Sequence, residues 1–366
     1  MKSINIGVIG CGNISDVYLK TASQFPVLNM LAVADINPAA AEAKAKTYGL
    51  KALSVDKLLA SSQIDIVLNL TTPQYHVQVG LDILAANKHV YSEKPLALNM
   101  AEALKFAAAA KAKNLRIGCA PDTFLSGAHQ TARKIVDNAT VGNIIAGTAF
   151  MMCPGHEKWH PNPDFYYQAG GGPLLDMGPY YITALINMLG PVDSVVGMAK
   201  ATYAQRSIKS GDREGESFEV NVDTHFSAIM QFASGATITM TQSFDVHKHE
   251  HTHIELYGTD GSILVPDPNQ FEGVVKTSIG SDDWQEVKQT HIYGDGNYRI
   301  LGLADMAQAI ISDRPHRASL ELSLHVLEVM QAIQTSADEH KTIQLKHQCQ
   351  RPSALDDGLK LGQLGE

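Results

Sequence analysis

Ile4-Asn5-Ile6-Gly7-Val8-Ile9-Gly10-Cys11-Gly12-Asn13-Ile14-Ser15 says more about the architecture than any other stretch of the chain. A short apolar run with three isoleucines and a valine enters a glycine turn, and a helical pattern follows at once. Gly10 permits the tight turn, and Gly12 lets backbone approach a pyrophosphate held at the helix N-terminus. Ser15 replaces the third glycine of a G-x-G-x-x-G pattern and is still small where helix and strand meet. Such a pattern carries weight only in context, and here a strand precedes it and a helix follows it.

The same alternation continues outward. Strand patterns at 4–9, 30–34, 64–70, 89–91 and 115–119 are separated by helical ones near 14–24, 38–48, 77–86 and 100–112. Asn99 and Glu102 form a capping arrangement for the last helix. This predicts an α/β fold, a Rossmann-type doubly wound parallel sheet over residues 1–123. After that the rhythm changes. A helix at 125–138 leads to long alternating segments at 144–152, 195–203, 224–232, 236–246, 253–257 and 262–265. Without crossover helices these predict a mostly antiparallel sheet, in an α+β domain over 124–345. Helices at 298–312 and 319–338 close that domain, residues 205–217 read as a loop of little order, and 346–366 as a polar tail.

Asp35 ends the second strand, 23 residues after Gly12. A carboxylate there accepts hydrogen bonds from adenine-ribose hydroxyls and repels a 2′-phosphate, and neighbouring Ile36 and Asn37 offer that phosphate no cation. NAD is favoured over NADP. The alternative role for Asp35 is a turn or capping acid ahead of Pro38. Two more punctuation points follow strands: Thr71-Thr72-Pro73 with His76 beyond it, and Glu93-Lys94-Pro95. Ligands of open α/β sheets bind beyond the carboxyl ends of the strands, so both clusters are expected to face the cofactor. A lysine beside a nicotinamide can lower a neighbouring hydroxyl's pKa and orient the alcohol being oxidised.

The segment Gly170-Gly171-Gly172-Pro173-Leu174-Leu175-Asp176-Met177-Gly178-Pro179-Tyr180-Tyr181 opens a helix that Gly190 and Pro191 stop. Asp176 and Tyr180, four apart, share a face of it. They read as proton-transfer groups, or as a capping acid and a core tyrosine. Pro179 removes a backbone hydrogen bond, so either the early turns are kinked or the regular helix begins near Pro179. Between strand 144–152 and the glycines lies His156-Glu157-Lys158-Trp159-His160-Pro161-Asn162-Pro163-Asp164-Phe165-Tyr166-Tyr167. Rings that cover C–H faces and polar tips that read hydroxyls suit a polyol, with His156, Trp159 and His160 as the contacts. A rigid surface loop or an oligomer contact is the other reading.

Composition narrows the classes further. The 366 residues are 45% apolar and 18% charged with a formal net charge of −9, which suits a globular chain of two domains. No basic cluster marks nucleic acid or anionic membrane as a partner. Cys11, Cys119, Cys153 and Cys349 form no CxxC pair, so zinc fingers and disulfide scaffolds are excluded and a cytoplasmic setting fits. No charged-then-apolar leader precedes the first strand, and no apolar run is long enough to span a bilayer. His247, His249, His251 and His253 alternate as if on one strand face. Lacking cysteine or HxxxH support they are taken as a solvated or substrate-facing strand, or a loop, and no metal is assigned.

Taken in order, Gly10-Cys11-Gly12-Asn13-Ile14, Glu93-Lys94-Pro95, and Gly170-Gly171-Gly172 with Asp176-Met177-Gly178 resemble the glucose–fructose oxidoreductase/inositol dehydrogenase/MocA family from the N-terminus to about residue 345. The resemblance implies a Rossmann domain, a second domain with an open sheet, hydride transfer with NAD(P), and a homodimer or homotetramer formed through that sheet. It implies that Lys94 is catalytic and that Asp176 is the acid after the glycines. Family members commonly carry His four residues after that acid. Here it is Tyr180, as in some relatives where a tyrosine is the acid/base. Thr71, Thr72, Pro73, His76, Glu93 and Lys94 join Gly10, Gly12, Asn13, Ile14 and Asp35 as cofactor contacts. Asp122-Thr123-Phe124 departs from the Asn and Arg that relatives often carry, and no nicotinamide contact is assigned to that loop. The expected activity is dehydrogenation of a secondary hydroxyl of a sugar, glycoside or cyclitol, or the reverse reduction. Two rivals are an NAD-dependent glycosidase working by transient oxidation and a non-catalytic dinucleotide-binding regulator.

Overall fold

The structure, a computed structural model, describes residues 2–365. The first stretch is β1 (Ile4–Ile9), α1 (Asn13–Ala22), β2 (Leu28–Ala34), α2 (Pro38–Tyr48), β3 (Lys51–Leu53), α3 (Val55–Ala60), β4 (Ile66–Asn69), α4 (His76–Ala85), β5 (His89–Ser92), α5 (Met100–Ala112) and β6 (Ile117–Cys119). The six strands lie in the order β3-β2-β1-β4-β5-β6, all pairs parallel. Ile6, Val8, Ile66, Val67, Leu68 and Val90 are buried, as a sheet covered on both faces requires. The order reverses between β1 and β4, so the crevice outside their carboxyl ends is the switch point where such sheets bind ligands. β3 and α3 were not anticipated, being too short to show a period. Asn99 caps α5 as expected, its side chain accepting from the Glu102 N–H at 3.0 Å.

The chain continues through α6 (Gly127–Asp137), β7 (Ile144–Met152), α7 (Gly172–Leu189), β8 (Val192–Lys200), β9 (Gln205–Ser207), β10 (Ser217–Glu219), β11 (His225–Phe232), β12 (Thr237–Ser243), β13 (Ile254–Gly258), β14 (Gly261–Val265), β15 (Lys276–Ile279) and β16 (Gln285–Glu286). It ends with α8 (Leu301–Ser312), α9 (Leu320–Glu339) and β17 (Ile343–Gln344). Nine of these strands form a sheet in the order β16-β15-β14-β13-β7-β12-β11-β8-β17, antiparallel except where β12 runs parallel to β7. One face, with Val195, Met230, Ile238, Leu256 and Ile263, is buried. On the other, Val196 is paired with Ile229, and Met198 stays 73% exposed. β9 and β10 pair with each other, so 205–217 is ordered, contrary to expectation.

The chain divides into two compact units, Met1–Gln130 with Gln289–Leu324 and Pro352–Glu366, and Thr131–Lys288 with His325–Arg351. This differs from the boundaries drawn at 123 and 345. α8 returns to the first unit because Gly118 on β6 leaves room for it: a Cβ there would lie 2.9 Å from the Met306 sulfur. Asp122 receives the start of α8, its Oδ2 accepting from the N–H of Ile300 (3.0 Å) and Gly302 (2.9 Å). The final residues are no loose tail. The Arg317 guanidinium donates to the carbonyls of Ser353, Ala354 and Leu364, and Leu355 and Leu364 are buried. Helical periodicity shows that an apolar face is covered but not which sheet covers it, and two leucines in a polar stretch leave no periodic mark.

Candidate functional site: a dinucleotide turn and a histidine–carboxylate pair

In the first unit, Gly10 has φ +105°, and a Cβ on it would come 2.6 Å from the Leu70 carbonyl carbon and oxygen. Only glycine fits this corner between β1 and β4. Gly12 is the opposite case. It begins α1 with no side-chain cap, and a Cβ there would meet nothing within 4 Å. The uncapped first turn at Asn13 and Ile14 and the open space before it suit a pyrophosphate. Ser15 is buried, in keeping with the close packing expected there, and its hydroxyl donates to the Gly12 carbonyl at 2.6 Å. The Asp35 carboxylate accepts from the N–H of Cys11 at 2.7 Å and of Asn37 at 2.8 Å, which fixes it beside the turn. Beyond β2 and β3 a groove of about 460 Å³ is lined by Asp35, Ile36, Pro38, Leu53 and Val55. Its apolar walls fit an adenine, and the carboxylate at its edge fits a ribose. Burial and the Asp35 charge push the Cys11 thiol up to about 11, so it stays protonated.

The strand-end loops are held from within. Asn69 Oδ1 accepts from the Thr71 hydroxyl at 2.7 Å, while Thr72 is exposed and Pro73 begins a short 3-10 turn. His76 does not face outward as expected. It is 1% exposed, with Nδ1 2.7 Å from the Pro95 carbonyl oxygen and Nε2 2.8 Å from that of Thr71. Burial lowers its pKa against the pull of these carbonyls, and as a neutral ring with one N–H it donates to one of the two oxygens while packing between both loops. Glu93 is also a support: its carboxylate accepts from the Tyr18 hydroxyl at 2.5 Å and the Lys94 N–H at 3.0 Å. Lys94 is partly exposed on the loop these contacts fix.

In the second unit, α7 begins at Gly172 and runs through Pro179 to Leu189, so the helix does not wait for Pro179. Gly170 (φ +89°) and Gly172 (φ +86°) make the turn into it. A Cβ on Gly171 would come 2.6 Å from the carbonyl oxygens of Phe165 and Tyr166. Asp176 and Tyr180 therefore sit one turn apart on one helix, Tyr180 largely buried. His156 Nε2 lies 3.4 Å from Asp176 Oδ2. The His156 ring stands 4.2 Å from Tyr166, 4.5 Å from Phe244 and 5.4 Å from Trp159, between centroids. Trp159 is 60% exposed and stands 5.2 Å from the His160 ring.

Beneath this loop lies a charged cluster that no sequence pattern marks. Arg206 Nη1 donates to Glu157 Oε1 at 2.7 Å, its Nη2 pairs with Asp245, and all three side chains are buried. The Tyr167 hydroxyl donates to Glu157 Oε2 at 2.5 Å and accepts from the His156 N–H at 3.1 Å. Burial and the Glu157 contact raise the Tyr167 phenol far above its usual range, so it remains a donor. The histidine run behaves differently from its strand reading. Residues 247–253 are irregular, with β13 beginning at Ile254. His251 stacks on Phe150 at 4.2 Å, and His253 Nδ1 lies 2.8 Å from the Tyr181 hydroxyl. No group of three or more His, Cys, Asp or Glu side chains able to hold a metal occurs among the described residues.

Residues 4–120 match the oxidoreductase family with an NAD-binding Rossmann fold, and residues 129–264 match the GFO/IDH/MocA C-terminal domain. The chain belongs to the GFO/IDH/MocA family. It is an oxidoreductase, and its first unit carries the family's NAD-binding domain. Among similar proteins, a levoglucosan dehydrogenase of Pseudarthrobacter phenanthrenivorans is 24% identical over 335 residues, covering 83% of this chain and 85% of the relative. A dTDP-3,4-didehydro-2,6-dideoxy-alpha-D-glucose 3-reductase of Saccharopolyspora spinosa is 29% identical over 287 residues, covering 75% and 79%. A solved levoglucosan dehydrogenase in complex with NADH and L-sorbose superposes with a TM-score of 0.81 at 21% identity, over 94% of this chain and 99% of that one. Against the commoner family pattern, this GFO/IDH/MocA chain carries Tyr180 one turn after Asp176, with a histidine brought to Asp176 from another loop. No helix among the described residues is long and apolar enough to cross a membrane.

Proposed function

We propose that this oxidoreductase transfers a hydride between NAD and a secondary hydroxyl, or the corresponding ketone, of a sugar, glycoside or cyclitol. The observation that carries the reading is the Asp176–Tyr180 turn beside the His156 loop, next to family membership. When bound, NAD supplies the hydride acceptor, held by the Gly10–Ile14 turn and Asp35 with Thr72 and Lys94 within the strand-end loops. Tyr180 takes the hydroxyl proton as the carbinol C–H leaves as hydride and the carbinol carbon becomes a carbonyl. A free phenol has a pKa near 10, so it needs a cation to act at neutral pH, and the lysine of the Glu93-Lys94-Pro95 motif is assigned that task. Asp176 orients substrate hydroxyls, while His156, Trp159 and His160 cover and read the polyol. That similar proteins are a levoglucosan dehydrogenase and a dTDP-3,4-didehydro-2,6-dideoxy-alpha-D-glucose 3-reductase supports the substrate class.

The test is absorbance at the reduced-nicotinamide band with NAD+ or NADP+ against sugars, methyl glycosides and inositols. Steady NADH formation with a member of the panel is expected. Tyr180→Phe is expected to lower kcat by roughly a hundredfold or more, the scale of general-base removal. Near-normal turnover of that variant would move the base to Lys94 or Asp176. The protein acts in the cytoplasm as a homodimer or homotetramer, a second copy covering the sheet face that carries Val196, Met198 and Ile229. Light scattering at the monomer mass would refute the assembly, and Met198→Lys is expected to weaken it.

A further inference from the structure

Asp176 can orient a substrate only if its carboxylate is held in place. We propose that His156 is the positioning residue for Asp176, and that the buried Arg206–Glu157–Tyr167 cluster exists to hold His156 there. The inference rests on the reading of Asp176 as the substrate-orienting acid. A carboxylate only accepts, so the imidazole must carry its proton on Nε2, the nitrogen 3.4 Å from Asp176 Oδ2. That distance is long for a hydrogen bond, as catalytic contacts are before substrate arrives.

The ring has little freedom to leave. Tyr166 and Phe244 stand against it, and its own backbone N–H is committed to the Tyr167 hydroxyl. Tyr167 is fully buried and donates to Glu157, which is 4% exposed and paired with Arg206. Arg206 in turn donates to the Phe244 carbonyl at 3.1 Å, so one guanidinium anchors both the backbone and a wall of the histidine's slot. Gly155 is the hinge of this arrangement, at φ +95°, where a Cβ would fall within 2.6 Å of Glu157, Arg206 and Tyr167 atoms. Two segments far apart in sequence thus converge on a ring whose polar tip meets Asp176.

Two substitutions separate positioning from packing. His156→Phe keeps an aromatic ring in the slot and removes the donor. His156→Gln loses the ring and returns an N–H near the Nε2 position. Positioning predicts that Phe lowers kcat/KM for the polyol roughly ten- to a hundredfold with NAD binding unchanged, and that Gln restores most of it. A packing role reverses the order, with Phe tolerated and Gln impaired, and would overturn the inference. So would wild-type kinetics in both. A second readout needs no turnover: ¹⁵N NMR of the imidazole should find His156 protonated on Nε2, a preference lost in Asp176→Leu. An unchanged tautomer would also overturn it. If no polyol is oxidised by the wild-type protein, the functional reading fails, while the NMR result still decides the His156–Asp176 pairing.

Discussion

The dinucleotide turn and the His156 region are built on opposite plans. At the dinucleotide turn, backbone does the work: Gly10 is shaped by its own φ and by the Leu70 carbonyl, and Asp35 is fixed by two amide N–H groups. Around His156, side chains do it, through ion pairs that join Glu157 and Asp245 to Arg206 from 49 and 39 residues away. A backbone device depends on local sequence and tolerates distant change. A charged network depends on every member, because each buried charge is bearable only while its partner is present.

The sharpest way to break this contrast is to remove the hub. Arg206→Leu leaves Glu157 and Asp245 buried and unpaired, and should destabilise the second unit by about 3–5 kcal/mol, read in denaturant melts. An effect below about 1 kcal/mol would mean the cluster is wetter than it looks. Gly10→Ala is next. The strained φ and the clash with Leu70 should cost about 1–3 kcal/mol and weaken NAD binding, read by titration with the cofactor. Intact binding would show that the turn can relax.

A smaller effect comes from pH. Burial holds the imidazoles of His76, His316 and His325 below their usual range, so they fold neutral. Their native values lie below the unfolded value of about 6.5, so this contribution is complete above that pH and is lost as pH falls from there toward the native values. Melts at pH 7.5 and 5.5 should show the loss, and His76→Gln should flatten the slope. Smallest of all is Arg213→Ala. Its pairs with Asp164 and Glu216 lie at the surface, and the melting temperature at neutral pH should barely move.

The same contrast explains what could be read in advance. β1, α2, α5 and β7 were placed from sequence because each carries its own period or cap, as Asn99 does for α5. The glycine turn was legible because the backbone rule it obeys is local. Arg206 was not, since a lone arginine in a polar stretch looks the same whether it is solvated or is the centre of a buried cluster. His76 misled for the related reason that a histidine at a strand end serves equally as a contact or as a strut. Asp176 and His156 were each picked out for their chemistry, but nothing in a one-dimensional pattern shows that residues 20 apart on different elements meet.

The return of the chain to its first unit has a consequence for synthesis. Cys119 on β6 donates its N–H to the Ala318 carbonyl, and Gly118 pairs with Ser319. These partners leave the ribosome some two hundred residues later, a delay of roughly ten to forty seconds at ordinary translation rates. Through that interval the outer edge of β6 waits with its hydrogen bonds unmade, an open edge of the kind that invites pairing with other chains. The unit begun first is therefore completed last, and the nascent chain is most exposed to wrong partners while its second unit is being made.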